Sequence, residues 1–198
     1  MFTRFNTKFK TSYPIIKPKI ISYSPALRYL HWSMAAGTLI VVGSVKSIHL
    51  MSEKQLEILG LSKAKLMMIH KSTALLMAAT IIPRTFLKYV EKSLPPLPGS
   101  IIETYAAKIS HIGFYGLMIF MPISGISMGY FGGKGLPFYG IYTIPGKNIP
   151  NVMIAKNAFY YHKEAGKLFT YLLPIHIGAV GFHTIKGHNI LTRMSIFN

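Results

Sequence analysis

Four apolar stretches, each closed off by a polar or Gly/Pro-rich segment, take up most of this 198-residue chain. A bilayer's hydrocarbon core is ~30 Å thick and needs about 20 predominantly apolar helical residues to cross. The first stretch, 27–50, reaches that length with Arg28, His31, Lys46 and His49 as its strongly polar members, and Lys46 can reach the surface along its own methylenes. The second, 66–90, carries His70 and Lys71 at its start, Pro83 and Arg84 in its second half and Lys88 near its exit. The third, 105–130, carries His111, with Pro122 and Gly125 marking an expected kink. The fourth, 159–186, carries His162, His176 and His183.

The chain is 51% hydrophobic with a mean hydropathy of +0.37 and only 14% charged, which excludes an ordinary soluble domain. The expectation is an all-α, integral membrane four-helix bundle. With four spans both termini lie on one side, here side A, and the first and third connections lie on side B. The first connection, 51–65, predicts a short interfacial helix. Pro95, Pro96, Pro98 and Gly99 make the second tight, and eight Gly and Pro residues predict an ordered but irregular third, 131–156. Lys and Arg divide 12 to 10 between sides A and B, so the positive-inside rule does not orient the chain.

A histidine inside a span is costly unless it faces the bundle interior and finds a partner. His162 and His176 are 14 residues apart, which on a helix returns to nearly the same face after a rise of about 21 Å. One helix could therefore offer a ligand to each of two haems stacked across the bilayer. Depth selects the partners: His31 and His176 both approach side A, and His70 and His162 both start their spans at side B. A single intramembrane histidine is more often a hydrogen-bonding or proton-relay group, but two independent depth matches favour ligation. Two imidazoles per iron leave no open position, which suits electron transfer.

His111 and His183, both in the side A half, are the competing placements for His176. Otherwise they are expected to contact haem or quinone there. Arg84, 14 residues after His70, should reach side A and needs an anion that a haem propionate would supply; Lys71 could serve similarly on side B. Plain snorkelling is the alternative for both. His49 and His188 read as peripheral, and the 12 Tyr and 12 Phe, many at span ends, as an interfacial belt. The absence of cysteine excludes disulfides, thiolate-bound clusters and thioether-attached haem.

The net charge is +17, with only five acids, all glutamate. Because the basic residues flank apolar spans, anionic lipid is the expected partner and nucleic acid is not. Residues 1–28 carry Arg4, Lys8, Lys10, Lys17, Lys19 and Arg28, with no acid, and read as a mitochondrial targeting segment; a basic tail on a bacterial membrane protein is the alternative. The expected organisation is a basic extension, 1–26, a four-span domain, 27–188, and a tail, 189–198.

These residues resemble the bacterial-type cytochrome b561 family, related to the membrane cytochrome subunits of hydrogenases and formate dehydrogenases. The carriers run from Tyr23-Ser24 and His31-Trp32 through His70-Lys71-Ser72-Thr73 with Arg84, then His111, Tyr115, Pro122 and Gly125. They continue through Phe138-Tyr139-Gly140, Pro145, His162-Lys163-Glu164, His176, His183, Leu191, Arg193 and Met194. The resemblance implies two b haems with ligand positions at His31, His70, His162 and His176, and electron exchange with quinone; some members are similar to a superoxide oxidase that reduces ubiquinone. With family orientation, side A is the matrix or cytoplasm, and the N-terminus then suggests the mitochondrial inner membrane. Ala74 stands where the resemblance implies glycine, and its methyl group at that helix contact is expected to shift the nearby side B haem. The rival readings are an accessory haem-holding subunit of a larger respiratory complex and a haem-free membrane anchor.

Overall fold

The computed structural model describes residues 22–91, 94–95, 99–188 and 190–197. The basic residues Arg4 to Lys19, on which the targeting reading rests, and Pro96 and Pro98 lie outside them. Four helices are long and apolar enough to cross a membrane: α1 (Pro25–Leu50), α3 (Lys63–Val90), α4 (Ile101–Phe131) and α5 (Val152–Ile185). The shortest has 26 residues, about 39 Å at ~1.5 Å per residue, so each outspans the hydrocarbon core.

Each start is written locally. Ser24, Ser62, Ser100 and Asn151 accept the backbone N–H three residues on, occupying a donor that has no partner within the helix. Pro25 sits at the first position of α1, where its missing N–H costs nothing. The Asn151 cap starts α5 seven residues before Phe159, and the Ser100 cap starts α4 four residues before Tyr105. Apolarity marks where a helix must cross lipid, whereas the caps mark where it begins in the interface. The expected interfacial helix is α2 (Glu53–Ile58), opened by a reciprocal Ser52–Gln55 capping box. A last short helix, α6 (Ile190–Met194), follows α5.

The third connection departs from the expected irregular loop. It contains an antiparallel hairpin of β1 (Leu136–Phe138) and β2 (Tyr142–Ile144). Tyr139 and Gly140 both adopt left-handed φ, +48° and +75°, and Ile141 N–H closes the turn on Phe138 O, which gives the twist a tight hairpin needs. A tyrosine in that conformation hides the turn from sequence reading.

The helices assemble as two layers, α1 against α3 and α4 against α5, joined mainly along α3 and α4. Gly37 permits the close approach in the first layer: a Cβ there would lie 3.0 Å from Met77 Cγ. Among the described residues, α5 has no extensive backbone packing with α1 or α3. The exterior is apolar, with Leu39, Ile82, Phe86, Ile112, Tyr171 and Ile175 exposed as lipid-facing side chains would be. Several buried positions are polar: Thr38, Ser44, Ser72, Thr73 and Ser124.

Candidate functional site

The space between the two layers is bridged by histidine pairs at two depths. His31 of α1 and His176 of α5 have ring centres 6.4 Å apart, and His70 of α3 and His162 of α5 have centres 6.2 Å apart. Both pairs cross between helices whose backbones do not pack closely, where a flat group could enter. The structure thus brings together the two pairs expected from depth.

At side B the hydrogen bonds also fix the chemistry of the rings. His70 Nδ1 lies 3.0 Å from Val41 O, and His162 Nδ1 lies 3.1 Å from Met121 O and 2.9 Å from Ser124 Oγ. A carbonyl only accepts, so each Nδ1 carries the proton and each neutral ring keeps its Nε2 lone pair for a metal. Gly125 leaves room for the second ring: a Cβ there would lie 3.3 Å from His162 Cε1.

The hairpin closes this end. Ser72, fully buried, accepts the Tyr139 N–H at 2.7 Å, and Thr73 Oγ1 meets Tyr139 Oη at 2.9 Å. The His70-Lys71-Ser72-Thr73 run therefore supplies a ring to the interior and an anchor to the hairpin. Lys71 is half-buried beside it, with no hydrogen bond or ion pair to another described residue.

At side A, Arg84 arrives as expected. Its Nη2 lies 3.2 Å from His31 Nδ1, and its guanidinium carbon lies 5.7 Å from the centre of the Tyr115 ring. Arg84 Nε and Nη1 are buried with no hydrogen-bond partner among the described residues. A buried guanidinium with Nε and Nη1 both idle calls for an anion beside it, and a haem carboxylate has the charge for that role.

His111 joins this cluster, its ring centre 6.0 Å from that of His176, while Phe114 packs on His176 at 4.9 Å. That spacing alone would suit ligation too, but α4 and α5 are packed directly together and leave no interlayer gap between them. His183 does not enter the cluster; it pairs with His188, the Nδ1 atoms 3.4 Å apart. His188, expected to be peripheral, thus has a specific neighbour, and the nearby ion pair joins Glu103 to Lys186.

Sequence reading did not find Ser124, Val41 O or Met121 O as partners of the rings. Ser124 left a trace, a hydroxyl in an otherwise apolar run, whereas backbone carbonyls leave none.

Fold and site together define a multi-pass helical membrane protein with paired histidines between two helix layers. The chain belongs to the prokaryotic cytochrome b561 family, whose model matches residues 22–195. It is thereby placed among membrane proteins that bind haem b and transfer electrons. A comparison with curated proteins found no match.

Proposed function

We propose that the chain is a di-haem b cytochrome that relays electrons across the membrane and exchanges them with ubiquinone or ubiquinol. His31 with His176, and His70 with His162, would hold the two haems. The observation that carries this reading is the pair of interlayer histidine contacts, 6.4 and 6.2 Å between ring centres, on opposite ends of one helix. Bound haem supplies the one-electron chemistry. The residues' part is to hold it: Val41 O, Met121 O and Ser124 orient the side B imidazoles, and Arg84 offers its free donors to a propionate at side A.

Lys71, near the side B pair, is proposed as a second propionate contact, and His111 and His183 as groups lining the side A end towards haem or quinone. The mitochondrial inner membrane is the proposed location, with the bacterial cytoplasmic membrane as the alternative, and anionic lipid is the proposed neighbour of the basic flanks. Rapid mixing of purified, oxidised protein with ubiquinol tests the relay. Fast reduction of the haem absorbance is expected. Absorbance that only a strong chemical reductant bleaches, in protein that co-purifies with a large assembly, would instead support an accessory subunit.

A further inference from the structure

Three consecutive main-chain carbonyls near the end of the chain are taken up by residues at and just before the start of α1. Tyr23 N–H donates to Arg193 O at 3.1 Å, Trp32 Nε1–H donates to Met194 O at 2.7 Å, and the Arg28 guanidinium donates to Ser195 O. Arg28 and Trp32 are four residues apart and so share one face of α1. Arg28 is only 5% exposed, so its contact with the tail is an interior one. The same segment reaches across side A, because the Arg193 guanidinium donates to Pro95 O at 2.8 Å in the α3–α4 connection. Ser24 ties the start of α1 to Glu91 at the end of α3.

This zipper matters because α1 and α5 do not pack closely by their backbones, yet they carry the two members of the side A pair. The chain runs from His176 through the end of α5 and α6 into residues 193–195, which bind the first two turns of α1. Trp32, held there by its indole N–H, stands edge-on to His31, with ring centres 5.4 Å apart and planes at 83°. At side B the ring partners Val41, Met121 and Ser124 all come from spans, whereas at side A the tail's contact through Trp32 is added to the span residues Arg84, His111 and Phe114.

We infer that residues 193–195 form a strap that positions His31 relative to His176 through Trp32, and so acts on the side A haem alone. The inference rests on the reading that these two histidines share a haem. Trp32 is a positioning residue in this account. A tail that merely covers the end of the bundle would leave each haem's properties unchanged when one of its bonds is removed.

The test uses the full-length protein in lipid nanodiscs. Trp32→Phe keeps an aromatic ring and removes the N–H; removal of residues 193–198 takes away the strap. Backbone hydrogen exchange over 190–197 reads the strap without reference to haem, and low-spin electron paramagnetic resonance with redox titration reads each haem separately. The expected result is a several-fold rise in exchange for Trp32→Phe and a shift in the signal and midpoint of one haem only. The shortened chain should show that same shift, and combining the two changes should add nothing. Unchanged exchange, a rise in exchange with neither haem shifted, or equal shifts in both would overturn the strap even if the shortened chain fails to fold. Wild-type protein that binds no haem would overturn the underlying reading, and the strap with it.

Discussion

His31 at side A sits in a different hydrogen-bonding setting from the two paired imidazoles at side B. At side B both imidazoles donate from Nδ1 to backbone carbonyls, which leaves the lone pair on Nε2. At side A the nearest partner of His31 Nδ1 is Arg84, which can only donate, so Nδ1 there must accept and a neutral ring carries its proton on Nε2. For the proposed ligation the side B rings already carry the required tautomer, whereas His31 would have to carry its proton on Nδ1 and be released by Arg84 Nη2. Arg84 Nε and Nη1, without partners among the described residues, are the donors left for another acceptor. Preorganisation at one end and exchange of partners at the other is the lesson of the comparison.

The largest expected effect comes from removing a ligand. His70→Ala should lower the haem count from two per chain to one and leave the side A haem's resonance in place; His31→Ala should do the reverse, read by haem content and paramagnetic resonance. Loss of both haems from either variant would break the claim that the ends are separate sites. Next in size, Arg84→Gln should loosen the side A haem by roughly 1.5–3 kcal/mol, the range for a hydrogen bond to a charged group, and leave side B alone. Haem retention during dilution into apomyoglobin measures this, and equal loosening of both haems would refute it.

Gly125→Ala sharpens the comparison from the other end. Its new methyl would meet His162 at 3.3 Å, so the side B haem alone should shift, with a stability cost of about 1 kcal/mol or more in thermal unfolding. Ser124→Ala removes one of two partners of His162 Nδ1 and should move the side B midpoint by less than Gly125→Ala does, since Met121 O still fixes the ring. The smallest effect is expected from Ala74→Gly. The close approach of α1 and α3 lies at Gly37 against Met77 and Thr73, so removing the Ala74 methyl should leave haem content unchanged.

Much of this was legible in the sequence because membrane helices advertise themselves: the four spans follow from apolar length, and the 14-residue interval placed His162 and His176 at two depths. Depth also brought His31 to His176 and His70 to His162. The hairpin escaped because Tyr139 occupies a conformation usually left to glycine, and Ser72 and Thr73, which hold it, resemble ordinary small residues of a span. The ring partners Val41 and Met121 act through carbonyls that every residue possesses. His183 was drawn to the end of the bundle by His188, a contact between residues five apart that the expectation of an exposed loop concealed. Arg84 was readable as a cation in need of an anion, but its approach to His31 required the packing of α1 on α3.

The measurement that tests the central claim most directly is haem b per chain, counted by pyridine haemochrome on purified protein alongside its reduced-minus-oxidised spectrum. Two haems per chain, falling to one in His70→Ala, is the predicted result. One haem in the wild type would contradict ligation by both histidine pairs, and none would contradict the electron relay.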